Sequence, residues 1–113
     1  MTRDWAFSLG YGQRSELPTA RGFDTYLGYW NGAETYSTHT VGADINGNQV
    51  YDFVDSTADG NSTQTAYSFA GQYSTHVFTD RAVKIITSIA AQAELSGVRV
   101  PWFLYLAFQV SIL

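Results

Sequence analysis

Two histidines, one arginine at a glycine corner, and a run of acids and amides are the residues of this chain whose types could do chemistry. His39 follows an aromatic stretch and carries an imidazole that titrates near neutral pH. Two readings of it stand: a contact at a pocket rim to an anionic substrate, or a core-edge ring hydrogen-bonded to backbone. His76 falls where a helix should begin and is given no function. Asp44, Asn46, Asn48, Asp52 and Asp55 offer oxygen donors of the kind calcium takes. Their spacing departs from a calcium loop, because Gly47 is fourth rather than sixth and the twelfth residue is Asp55 rather than Glu. A hairpin turning at Asn46-Gly47 accounts for the same residues. Arg21 has a guanidinium suited to an oxyanion such as sulfate. Between Ala20 and Gly22, with Asp24 nearby, the same side chain could instead lock the corner by a structural pairing. Asn61-Ser62-Thr63 is a glycosylation sequon in a polar stretch. The chain has no cysteine, which excludes a disulfide framework and thiolate metal ligands.

These residues need elements to position them. The 113 residues are 45% hydrophobic and 14% charged, the balance of a globular chain with a modest core. Net charge is −4 with six scattered basic residues, so no basic patch offers itself to nucleic acid. The aromatic share of 16% reads either as core with an amphipathic rim or as a surface facing carbohydrate. The near-apolar run at 98–113 is interrupted by Arg99, Pro101, Gln109 and Ser111, too short and polar for a membrane span. The opening Met1-Thr2-Arg3-Asp4 does not read as a signal peptide.

Along the chain, 1–16 reads as loop with at most one short strand. Pro18 presets its own φ and biases Leu17 toward extended backbone, and Gly22 can turn the corner that follows. Residues 40–55 suggest a hairpin and 56–64 a loop. Phe78, Ala82, Ile85, Ile86 and Ile89 form one stripe at helical spacing. The spacing predicts a helix over 74–94, capped by Ser74 or Thr75 and ended at Ser96-Gly97. After Pro101, residues 102–109 are nearly all apolar, the pattern of a strand buried on both faces. Ile85, Ile86, Ile89, Phe103, Tyr105 and Ala107 are therefore expected in the core. Helix, loop and buried strand together point to an α/β layer fold.

The string Leu17-Pro18-Thr19-Ala20-Arg21-Gly22-Phe23-Asp24-Thr25-Tyr26-Leu27-Gly28-Tyr29 resembles the L-P-T-x-R-G-F-D-x-x-x-G-Y segment of the sulfatases, most closely their arylsulfatase B-like branch. Leu9-Gly10 stands at the spacing of the family's W-H-L-G element. Glu34-Thr35-Tyr36-Ser37-Thr38-His39 is similar to its E-D-Y-Y-S-H. Tyr73-Ser74-Thr75 with Phe78-Thr79-Asp80-Arg81-Ala82-Val83 is similar to its Y-S-T-x-x-F-T-x-R-A. Phe103-Leu104-Tyr105-Leu106-Ala107-Phe108-Gln109 is similar to its F-L-Y-L-A-L-Q. Residues 40–72 and 90–101 are unmatched. The resemblance implies a partial alkaline-phosphatase-like fold, a helix packed on a buried, mainly parallel sheet. It also implies that 1–113 is an internal segment of a catalytic domain rather than a complete one.

What the resemblance implies chemically is sulfate ester hydrolysis on carbohydrates or aryl alcohols. The family uses a formylglycine nucleophile made from a Cys or Ser in C/S-x-P-S-R, a calcium ion, and Lys and His side chains. This sequence has no such motif. The positions of the family's Lys and two His are taken by Ala6, Ser8 and Ile112, none of which replaces a cation or imidazole. No catalytic residue, metal ligand or bound cofactor is expected in the chain alone, with His39 the one candidate substrate contact. The expected reading is a sulfatase fragment without activity of its own. The alternative is a degenerate, non-catalytic relative that binds sulfated glycans. A lysosomal or secreted location follows from the family. The match ends at Gln109, and Val110-Ser111 is what a splice-donor sequence after a Gln codon would encode, so the residues beyond are expected to be intron read-through.

Overall fold

The computed structural model describes residues 12–32, 34–42, 45–57 and 63–109. The corner forms as its residues dictate. Leu17, before proline, is extended at φ −66° and ψ 148°, and Pro18–Arg21 makes a 3-10 turn. Gly22 closes that turn at φ 105°, a conformation a side chain would strain. Strand β1, Thr25–Gly28, leaves the corner and pairs antiparallel with β4, Val54–Thr57, from Thr25 opposite Thr57 to Gly28 opposite Val54. β4 pairs antiparallel on its other side with β5, Gln64–Thr65, so the sheet order is β1-β4-β5. The expected hairpin forms from β2, Thr40–Val41, and β3, Val50–Tyr51, with Gly47 at φ 83° in the connection.

The helix is found where its stripe predicts. α1 spans Ser74–Ser96, and Gly97 ends it at φ 68° with its N–H on the Ala93 carbonyl at 3.0 Å. Its start differs from the sequence reading. Tyr73 is the capping residue and makes no side-chain cap, while the Ser74 and Thr75 hydroxyls point to Gln109. No helix among the described residues is long and apolar enough to cross a membrane.

The core is aromatic. Phe53 is fully buried, with Ala66, Val77 and Phe78 against it and Leu27, Tyr29, Tyr51 and Phe69 around them. Ring centroids of His39, Tyr29, Phe69 and Phe78 lie 4.4, 5.0, 5.8 and 5.8 Å from Phe53. These are the spacings at which ring pairs attract beyond simple area burial.

Two expectations are overturned. The sheets are antiparallel, not mainly parallel. Parallel pairing needs a second strand beyond a crossover. The segment after α1 supplies none, because residues 98–109 join no ladder among the described residues. The expected core positions also fail to close over. Ile86 and Phe103 are 43% and 57% exposed, Tyr105 and Ala107 are exposed, and Ile85 and Ile89 are half-buried. α1 buries only Ser74, Val77, Phe78 and Ala82, the part of its face that reaches Phe53. Farther along the stripe the described residues offer no sheet to pack against.

Candidate functional site

Polar groups from Tyr29, Glu34, Ser74 and Thr75 converge at the end of the segment that follows α1. Gln109 Oε1 accepts hydrogen bonds from the Tyr29 hydroxyl at 2.9 Å and the Ser74 hydroxyl at 3.1 Å. Its Nε2 donates to the Glu34 carbonyl at 2.6 Å, and its own carbonyl accepts from Thr75 Oγ1 at 2.9 Å. One side chain therefore ties together the exit of β1, the segment before β2, and the first turn of α1. Buried Ser74 also donates its backbone N–H to the Tyr36 carbonyl at 2.7 Å.

His39 lies one shell further in. It is fully buried at φ 54°, stacked on Phe53, with Nε2 3.1 Å from the Phe69 carbonyl and Nδ1 3.3 Å from the Tyr29 hydroxyl. A carbonyl only accepts, so Nε2 carries the proton. The one Tyr29 O–H is directed to Gln109 Oε1, so Nδ1 lies 3.3 Å from the Tyr29 oxygen without receiving that proton. Burial lowers the His39 pKa, partly opposed by the Phe69 and Gln72 carbonyls. The structure places His39 as a buried ring bonded to the Phe69 carbonyl. His76 is exposed near the start of α1, edge-on to Tyr73.

Two acids sit on the other side of Tyr29. Asp52, buried between β3 and β4, accepts from the backbone N–H of Trp30 at 3.0 Å and of Asn31 at 2.7 Å, and from Asn31 Nδ2 at 2.8 Å. Three donors on one carboxylate fix the turn after β1 and stabilise its charge. Glu34 is 6% exposed, yet neither carboxyl oxygen has a hydrogen-bond partner. Burial first, then the neighbouring Asp52 carboxylate, push Glu34 up to about 8. Tyr26, whose hydroxyl donates to the Tyr29 carbonyl, is raised too, chiefly by burial and then by Asp52.

The remaining sequence candidates are dispersed. Asp55 pairs with Arg81 of α1, at about a quarter to a third side-chain exposure. Asp52 and Asp55 are thus engaged with other partners and do not face one cation. Arg21 is exposed and forms no ion pair with Asp24 among the described residues. No group of three or more acids or histidines among the described residues is arranged to hold a metal. The calcium that the resemblance implies therefore finds no fitting donor set there. Ala6, Ser8 and Ile112, which stand at the family's Lys and His positions, lie outside the described residues, as do Asp44 and Asn61.

An open, mostly apolar groove lies between α1 and residues 98–109, with Phe23, Leu27, Ile85, Ile89, Phe103 and Leu106 among its walls. Phe23 meets Phe103 there at 6.4 Å between centroids. Sequence reasoning passed over Gln109 and the Glu34–Asp52 neighbours. A lone amide ending an apolar run was the signal for the first. No spacing in the chain marks the second, whose members are brought together by the turn at Trp30 and Asn31. No family model matches the chain, and no solved structure matches it.

Proposed function

We propose that this chain is a segment of a sulfatase, a hydrolase of sulfate esters on carbohydrates or aryl alcohols, and is itself inactive. The observation that carries the reading is the convergence on Gln109. Tyr29, Glu34, Ser74–Thr75 and Gln109 each come from a different one of the four strings that resemble sulfatase sequence, and Gln109 bonds to all the others. Strings that are similar to one family and fold onto one another support a common origin better than any of them alone. The reading does not extend to a parallel sheet.

The residues of this chain are assigned no step of hydrolysis. It has no Cys to become formylglycine, and Ala6, Ser8 and Ile112 bring neither charge nor a transferable proton. On this reading those parts belong to other segments of a longer polypeptide. A group that positions charge or a proton is worth roughly a hundredfold or more in rate, and groups acting as one unit fail together. The purified chain should leave a chromogenic aryl sulfate at the background rate. Turnover that copurifies with it overturns the reading. Sequencing the transcripts of the locus tests the origin: an adjoining C/S-x-P-S-R and Lys-x-His supports a fragment of an enzyme. Their absence, with saturable binding of the chain to a sulfated glycan, supports the non-catalytic relative.

A further inference from the structure

Glu34 presents two different surfaces to the site. Its backbone carbonyl accepts Gln109 Nε2 at 2.6 Å, while its buried carboxyl has no donor at either oxygen. That carboxyl interacts with the side chain of Asp52, whose own oxygens already take three N–H donors. Two carboxylates side by side and out of water do not both ionise unless a cation joins them. Among the described residues no Lys, Arg or His pairs with either, since Arg81 is committed to Asp55.

The groups around Glu34 offer no relief. The connection between β3 and β4 contributes Asp52. The exit of β1 contributes Tyr29 and, beyond it, Tyr26, whose phenols are also held neutral by burial. The start of α1 contributes the neutral Ser74 and Thr75, and the segment after α1 the neutral Gln109. The pKa of His39, across Tyr29, is lowered by burial. Among the described residues no positive charge faces the pair, so a proton on Glu34 is what allows the site to close.

We propose that Glu34 is a proton-operated latch on the side-chain amide of Gln109: protonated, it stays beside Asp52 and its backbone carbonyl holds Gln109 Nε2; ionised, it is repelled from Asp52 and releases that amide, leaving Gln109 to the Tyr29, Ser74 and Thr75 hydroxyls. The proton passes to solvent. Gln109 is a sensitive point to act on, because the backbone of 99–108 makes no hydrogen bond with any described residue. What else holds the segment is apolar contact of the kind Phe23 makes with Phe103. The latch is closed in acid and neutral solution and opens as the pH rises through about 8.

NMR on the full chain tests this. The Glu34 side-chain carbon and the Gln109 side-chain amide are followed from about pH 5 to about pH 10, a range that spans the ordinary carboxylate value and the raised one. The expected result is one shared midpoint near 8 for both signals, with Gln109 losing its bonded shift on the alkaline side. In Glu34→Gln the Gln109 signal should stay still over the same range. A Glu34 midpoint in the ordinary carboxylate range overturns the proposal. So does a Gln109 signal that ignores the Glu34 titration, or one that moves equally in Glu34→Gln. Both midpoints are read on the unaltered chain, so a variant that fails to fold leaves the test decisive.

Discussion

Truncating Phe53 to alanine sets the aromatic core against the core the sequence suggests. Phe53 is 0% exposed and touches the rings of His39, Tyr29, Phe69 and Phe78. Removing a buried phenylalanine ring typically costs about 3–5 kcal/mol. A domain of this size has roughly 5–15 kcal/mol of stability in all. Among the described residues six apolar side chains are buried, two of them alanine, so Phe53 carries a large share of that core. Phe53→Ala should therefore leave little folded protein, or lower the melting midpoint by roughly 12 °C or more. Ile86→Ala is the control. Ile86 lies on the apolar stripe of α1 but is 43% exposed, so its truncation should cost at most about 1 kcal/mol. Urea unfolding followed by far-UV circular dichroism measures both. A loss for Ile86→Ala equal to or above that for Phe53→Ala would refute the reasoning. It would mean that α1 packs in solution along the stripe and not by its first turns.

Asp52→Ala strips the acceptor from three donors and should cost roughly 2 kcal/mol, with the Trp30 and Asn31 amide resonances losing their bonded shifts; unchanged amides would count against the turn. His39, whose pKa burial lowers, contributes stability that is present above the ordinary histidine range and lost as the pH falls through it. His39→Gln should flatten that acid limb in a series of melting curves. Glu34 works in the opposite sense: its bound proton stabilises fully below the ordinary carboxylate range, and that contribution is lost as the pH rises through about 8. Calorimetric titration with calcium should show no saturable site below the millimolar range, and a micromolar one would revive the acidic stretch ending at Asp55.

Much of the local structure was legible because local residues decide it. Pro18 and Gly22 specify their corner, Asn46-Gly47 turns the hairpin, and the stripe from Phe78 to Ile89 with Gly97 beyond it marks α1 closely. The strand expected at 102–109 was not obtained, for a different kind of reason. An apolar run states that a segment prefers burial, but its ladder depends on neighbours that no residue inside the run encodes. The same limit hid the core. Phe53 stands in a short stretch that looks like an ordinary strand, and its partners come from β1, the turn at His39, Phe69 and α1. Gln109 illustrates both cases. Its string was noticed as part of a resemblance, while its bonding role appeared only when four distant segments met around it.

The backbone of 99–108, which bonds to no described residue, has a further consequence, for colloidal behaviour. Trp102, Phe103, Tyr105, Leu106 and Phe108 all expose large apolar surface along it. Such a segment is a template on which identical segments of other molecules can add as strands. Arg99 and Pro101, the charge and the proline that would discourage this, both precede the apolar row rather than interrupt it. Concentration, rather than temperature, then becomes the variable that governs how long the chain stays dispersed, and a charge placed at Leu106 is the change that would extend it.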